Sequence, residues 1–166
     1  LSLLSTHSLS ELEPSYLFGV FDKLKEFDVC VSDPSPNLPD VMATLCETVA
    51  AGTNLKILSL QLSDLSLSQV SRRTLSRMVT QVEELQLSYG REDFTLGQDK
   101  IGTIVEAIAT TKAANLKKLA LHIDLKLVDS RLVAKMATQV EELRLGGGHI
   151  LAEDQVKAIF QTIAAG

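Results

Sequence analysis

The sequence predicts a single α/β domain over residues 1–166, built as a solenoid with the outline of a horseshoe arc. About six short parallel strands would form its concave sheet, and helices would cover its convex side. Three observations predict this fold. The phrase TQVEEL occurs at 80–85 and again at 138–143, a short apolar frame recurs along the chain, and amphipathic stretches separate the copies of that frame.

The strands are predicted from a frame with apolar residues at its first, fourth and sixth places, as in V-x-x-L-x-L. Complete copies begin at Leu24, Leu55, Val82, Leu116 and Val140, and Leu1-Ser2-Leu3 is interpreted as the end of a further copy. Because successive side chains of a strand point to opposite faces, the fourth and sixth places would enter the core. The third, fifth and seventh places would then face the concave side.

The copies of the frame alternate between two kinds. Leu24, Val82 and Val140 lie 58 residues apart, and the other two starts, Leu55 and Leu116, lie 61 residues apart. One kind carries VEELxL, and the other carries NLKxLxL. The sequence therefore predicts a repeating doublet of two strand and helix units.

The helices are predicted from apolar residues at three- and four-residue spacing in the stretches 68–81, 97–111, 129–139 and 153–165. Their N-caps are predicted at Ser68, at Asp99, at Asp129, and at Glu153 or Asp154. Pro39 is typical of the first turn of an earlier helix, and Gly52 and Gly166 are typical of helix ends.

This doublet resembles the ribonuclease-inhibitor-like class of leucine-rich repeat proteins, found in ribonuclease inhibitor and in the repeat regions of nucleotide-oligomerisation-domain receptors. The resemblance covers essentially the whole chain. It implies a protein ligand and a role as an intracellular sensor or scaffold, such as the repeat region of an innate immune receptor. One departure concerns the turn after each strand, where the family has Asn or Cys and this chain has Thr6, Ser32, Ser63, Gly90, Asp124 and Gly148. The two glycines have no side chain to bond neighbouring backbones, so looser turns are expected there.

Composition excludes several other classes of function. The net charge is -5, which disfavours a nucleic-acid partner because binding to phosphates needs clustered Lys and Arg. Two cysteines, Cys30 and Cys46, are too few for a disulfide framework, and no metal or cofactor motif is present. No apolar run is long enough for a membrane span. Because so few cysteines favour a reducing compartment, we expect a cytoplasmic protein. The chain begins within the frame, which suggests a fragment of a longer protein.

The candidate binding surface is the concave face, because a solenoid presents equivalent side chains from successive strands at fixed spacing. A protein ligand is predicted to contact the charged and polar residues of the third, fifth and seventh places. These candidates are Glu26, Asp28, Glu84, Gln86, Lys118, His122, Glu142 and Arg144. Opposite charges on adjacent strands could instead pair across the sheet and only order the repeats.

Two other functions remain open. A GTPase-activating domain would need an exposed arginine on a loop, and Arg91 is the candidate with that placement. A purely architectural segment would bind nothing. Self-association through the open end repeats is a further expectation. The glycine-rich LGGGHI at 145–150 lacks a nucleotide-binding signature and is interpreted as a turn, while His7, His122 and His149 lie on separate repeats.

Overall fold

The strands form one sheet. This computed structural model describes residues 2–5, 19, 21, 23–29, 38–52, 54–62, 67–89, 98–110, 115–146 and 151–165. Within them the strands are β1 (Ser2–Ser5), β2 (Glu26–Val29), β3 (Ile57–Leu62), β4 (Glu84–Tyr89), β5 (Lys118–His122) and β6 (Glu142–Leu145). They pair in sequential order, and every pair is parallel. The expected parallel sheet of about six short strands is therefore present.

A helix follows each strand from β2 onward. In the described part of the chain these are α1 (Leu38–Ala51), α2 (Arg72–Met78), α3 (Gln98–Thr110), α4 (Ser130–Ala137) and α5 (Glu153–Ala165). Each helix packs against the next one along the chain. Strand and helix thus alternate, and successive units lie side by side.

The register of β2 to β6 matches the predicted frame. Phe27 pairs with Leu58 and Leu58 with Leu85, and the row continues through Leu119 to Leu143, so all fourth-place residues align. The sixth-place residues form the parallel row. Both rows join the apolar residues of the helices in one core, in which Leu58 and Leu87 have no exposed surface.

The first strand differs from its prediction by two residues. The sequence interpretation places Leu1 at the fourth place of the frame, but Leu3 is the residue that pairs with Phe27. Ser2 consequently pairs with Glu26 at the third place. The stretch LSLLS has leucines at both odd and even positions, so its pattern alone does not determine the register.

Helices α2 and α4 each begin after a residue whose side chain accepts a hydrogen bond from a backbone N–H of the first turn. Asp129 caps α4 as predicted, since its carboxylate accepts hydrogen bonds from the backbone N–H groups of Arg131 and Leu132. The prediction of Ser68 as the cap of α2 is wrong. Ser71 is the cap, because its Oγ accepts from the N–H of Thr74 at 3.0 Å.

In α3 and α5 the predicted caps lie inside the helix. Asp99 belongs to the first turn of α3, and Glu153 and Asp154 belong to the first turn of α5. Carboxylates in a first turn still stabilise a helix through its dipole. Gly52 ends α1 with a φ of 101°, the left-handed conformation expected of a C-terminal glycine.

Several predicted features lie outside the described residues: Cys30, His7, His149, Arg91, Gly90, Gly148 and the turn residues Thr6, Ser32 and Ser63. Asp124 is described, and its carboxylate accepts a hydrogen bond from the backbone N–H of Lys126 within its own loop. The helices of the described ranges are too short or too polar to cross a membrane.

Candidate functional site

The candidate site is the face of the sheet that points away from the core, here called the exposed sheet face. Its third-place row is Glu26, Ile57, Glu84, Lys118 and Glu142, and its fifth-place row is Asp28, Ser59, Gln86, Ala120 and Arg144. All ten side chains are exposed or half-buried. The structure thus brings seven of the eight predicted site residues onto two adjacent rows, and the eighth, His122, lies at the end of β5.

Two ion pairs order the part of this face formed by β4 to β6. Lys118 Nζ donates to Glu84 Oε1 across the two strands at 2.7 Å. Arg144 binds Glu142 on its own strand at 2.6 Å. The hydrogen bond from Lys118 to Glu84, together with the charge of Glu84, raises the pKa of Lys118. The expected pairing across strands is therefore present for Glu84, while Glu142 is held by Arg144.

These charged side chains surround a shallow cavity. It has a volume of about 280 Å³ and spans β3 to β6. Ile57 and Ala120 line it together with the charged residues Glu84, Lys118, Glu142 and Arg144. A lining that combines apolar side chains with charged groups of both signs suits a side chain of a protein ligand.

The β2 end of the face has a different electrostatic character. Glu26 and Asp28 are both exposed, and neither forms an ion pair with another described residue. Their neighbours on β3 are the uncharged Ile57 and Ser59. Among the described residues, the exposed sheet face therefore carries unbalanced negative charge at β2 and balanced charge from β4 to β6.

His122 lies against Gly146, the glycine that directly follows β6. A Cβ atom at Gly146 would lie 2.5 Å from Cε1 and 2.6 Å from Nδ1 of the His122 ring. The N–H of Gly146 donates to the carbonyl of Leu121, which fixes the glycine beside β5. The ring therefore occupies the space that any other residue at 146 would need, and it remains exposed at the edge of the face.

A second charged row lies where the strands begin. Glu83 accepts a hydrogen bond from Lys56 Nζ at 2.7 Å and a longer one from Lys117 Nζ at 3.5 Å. The hydrogen bond from Lys56 and the positive charge of both lysines lower the pKa of Glu83. Backbone hydrogen bonds continue this row from Lys25 to Glu141. The second places of the frame thus form a ladder that aligns neighbouring strands.

Beside this ladder is a cleft of about 380 Å³, which sequence reasoning did not find. It is lined by Asn54, Gln81 and Asn115 together with the charged ladder residues. Asn115 Nδ2 donates to the carbonyl of Thr80 at 3.4 Å, so this asparagine connects two successive units. The repeated NLK and TQVEE phrases carry the signal, because they place amide side chains at equivalent joints.

The basic run on α2 lies on the helical side of the molecule. Arg72 binds Glu106 of α3 at 2.8 Å, and Arg73 and Arg77 are exposed. In the ranges that the structure covers, no group of three or more His, Cys, Asp or Glu side chains could hold a metal ion. The exposed sheet face can bind a ligand through ion pairs, hydrogen bonds and apolar contacts with Ile57 and Ala120.

Comparison with known proteins identifies a similar fold but does not assign the chain to a family. No family model and no curated protein matches the sequence. Among solved structures, the chain is similar to one described as "Leiomodin-1 Actin-Binding Site 2 (ABS2)", with a TM-score of 0.57 and 12% sequence identity. The match covers 91% of this chain and 85% of that chain. At this identity the likeness shows the fold alone.

Proposed function

We propose that this chain is a leucine-rich repeat solenoid of the ribonuclease-inhibitor-like class, and that it recognises a protein ligand without catalysing a reaction. The observation that carries this proposal is the exposed sheet face. Two aligned rows of charged and polar side chains border a shallow cavity there. A broad, open surface of this kind suits a protein better than a small substrate, which is usually bound in a deep pocket.

The charges of the face indicate the chemistry of the ligand. A basic residue of the ligand would bind over β2, where Glu26 and Asp28 carry unbalanced negative charge. A polar or mixed segment would bind over β4 to β6, where it would compete with the pairs Glu84–Lys118 and Glu142–Arg144. Charge complementarity of this type determines the choice of partner more than the affinity.

The structural neighbour supports a protein ligand only in general terms. The similar solved structure is described as an actin-binding site, so a chain of this fold serves there in binding a protein. The choice of a cytoplasmic sensor or scaffold, such as the repeat region of an innate immune receptor, rests on the sequence resemblance. This cellular role is therefore part of our proposal.

The proposal is tested by charge reversal on the exposed sheet face. Glu84→Lys with Glu142→Lys reverses two third-place carboxylates, and we expect this variant to lose the ligand that the parent chain captures from source-cell lysate. The matched control is Glu47→Lys with Glu106→Lys, which makes the same charge change on α1 and α3. Mass spectrometry identifies the captured protein, and circular dichroism checks that both variants are folded.

The control decides the interpretation. Capture that survives the sheet variant but is lost in the helix variant would place recognition on the helices and contradict the proposal. Capture of nothing by the folded parent chain would favour a purely architectural role. Acceleration of GTP hydrolysis that disappears in Arg91→Ala would show a GTPase-activating domain instead.

A further inference from the structure

An apolar surface lies at the β6 end of the molecule, here called the apolar end surface. It comprises Leu143 and Leu145 of β6, Leu151, and Val156, Phe160 and Ile163 of α5. Phe160 is 69% exposed and Ile163 is 60% exposed, which is unusual for large apolar side chains. A groove of about 240 Å³ runs between β6 and α5 across this surface.

Earlier helices carry the same apolar stripe. Val156, Phe160 and Ile163 have the spacing i, i+4, i+7, and so do Ile101, Val105 and Ile108 of α3. The stripe of α1 consists of Met42, Cys46 and Val49. All six residues of α1 and α3 have no exposed surface. The stripe is therefore an internal surface in two helices and an open one in the third.

Hydrogen bonds confirm that α3 and α5 are equivalent. Lys100, directly before Ile101, donates to the carbonyl of Val70 at 2.7 Å. Gln155, directly before Val156, donates to the carbonyl of Val128 at 2.6 Å. Val70 and Val128 each precede the residue that caps the adjacent helix. Each helix is thus anchored to the preceding unit in the same way.

The buried stripes differ from the open one in having a helix on their following side. Helix α1 has α2 on its following side, and α3 has α4, whereas α5 packs only on α4 among the described helices. The helices that follow α1 and α3 share the pattern cap-x-Arg-x-apolar-x-basic-Met, in residues 71–78 and 129–136. Leu75 and Met78 of α2 are buried, as are Val133 and Met136 of α4.

Charge distinguishes the two kinds of helix. Counting Asp and Glu as -1 and Lys and Arg as +1, the net charges of α1 to α5 are -2, +3, -1, +2 and -1. A basic helix follows each acidic helix whose apolar stripe is buried. Both precedents therefore indicate that the helix fitting on α5 is amphipathic and basic.

We propose that the apolar end surface is a docking site for a strand followed by a basic amphipathic helix, arranged like β3–α2 or β5–α4. This strand would pair with the edge of β6 opposite β5, and its helix would cover Val156, Phe160 and Ile163. A second copy of this chain fits less well. Its β1 end leads into residues 6–24, which hold Glu11, Glu13, Asp22 and one basic residue, Lys23.

The test extends the full chain with a unit of known type. Residues 162–166 read TIAAG, and residues 48–52 read TVAAG, so a copy of residues 53–81 attached after Gly166 reproduces the joint between α1 and β3. We expect this extension to raise the Tm by on the order of 5 °C. We also expect amide exchange of α5 to slow by about tenfold.

Two matched extensions provide the controls. One carries Leu75→Asp in the appended copy, which places a carboxylate at the apolar contact and is expected to abolish the gain in Tm. The other carries Arg72→Glu, Arg73→Glu and Arg77→Glu in the appended copy and is expected to give a smaller gain. An equal Tm for the extended chain and the Leu75→Asp extension would overturn the docking site, and an equal gain from the charge-reversed extension would overturn the requirement for a basic helix.

The oligomeric state tests the choice of occupant. Analytical ultracentrifugation of the unextended chain is expected to show a monomer. A dimer that dissociates in Phe160→Asp would identify a second copy as the occupant and overturn the proposed strand and basic helix. None of these measurements depends on the ligand of the exposed sheet face, so either proposal can fail alone.

Discussion

Burial determines the chemistry of the Cys46 thiol. Cys46 lies on α1 with no exposed surface, and desolvation, followed by the charge of Glu47, raises the pKa of its thiol to about 12. The neutral thiol packs as a small apolar residue, and the thiolate would have to lose its hydration inside the core. Cys46 is therefore a structural residue.

A dependence of stability on pH follows from Cys46. In the unfolded chain the thiol has an ordinary pKa near 9.0, so only the unfolded state gains thiolate as the pH rises from 9.0 toward 12. The contribution of Cys46 is fully present below pH 9.0 and is lost across that window. We expect urea midpoints to fall less steeply with pH above 9 in Cys46→Ala than in the parent chain. Parallel slopes would show that the thiol does not ionise on unfolding.

Side-chain partners could be predicted from the sequence only in part. Pairing of the third-place charges across strands was one of two interpretations that the sequence left open, and Glu84 and Lys118 form such a pair. For Glu142 the sequence offers two cations at similar range, Lys118 on the next strand and Arg144 two residues on. Which of the two cations binds Glu142 depends on side-chain rotamers and on the length of the arginine side chain. The spacing of residues in the sequence does not determine either. The overlap between the His122 ring and any Cβ atom at residue 146 likewise depends on side-chain geometry, so the sequence pattern does not predict it.

At the scale of secondary structure, caps determine where the short helices begin. Helix α2 has seven residues, too few to be stable alone, so its first turn depends on Ser71 and on packing of Leu75 and Met78. Ser68 and Ser71 are both plausible caps by residue type. Val70 between them is buried, and its N–H bonds the carbonyl of Leu67, so residues 67–70 form a separate turn. The sequence did not predict this turn.

The assignment of the cap is testable by removing each hydroxyl. Ser71→Ala is expected to destabilise the protein by about 1 kcal/mol, because the N–H of Thr74 loses its acceptor. Ser68→Ala is measured beside it, because the sequence predicts Ser68 as the cap. Urea denaturation measures both. A larger loss in Ser68→Ala would restore the cap that the sequence predicts.

At the scale of the whole molecule, burial decreases from the central strands to β6. Leu85 of β4 and Leu143 of β6 occupy the same place of the frame, yet Leu85 is 2% exposed and Leu143 is only half-buried. The frame predicts both residues as core and does not distinguish them. Their difference arises from the number of neighbouring units, which is a tertiary property.

This gradient predicts unequal effects of one substitution. Leu85→Ala is expected to cost about 3 kcal/mol of unfolding free energy, because it leaves a cavity between two neighbouring strands. Leu143→Ala is expected to cost about half as much, since its side chain is already partly exposed. Urea denaturation of the two variants provides the comparison. Equal losses would mean that β6 is as well packed as β4.

The alternating charge of the helices has a consequence for changes in length. A recombination event between the two TQVEEL phrases would delete or duplicate 58 residues, and each acidic helix would still have basic neighbours. Loss of a single unit, for example β4 with α3, would bring α2 and α4 together, with net charges of +3 and +2. Such a gene product would place like charges across a packed surface. We therefore expect viable length variants of this chain to differ by doublets.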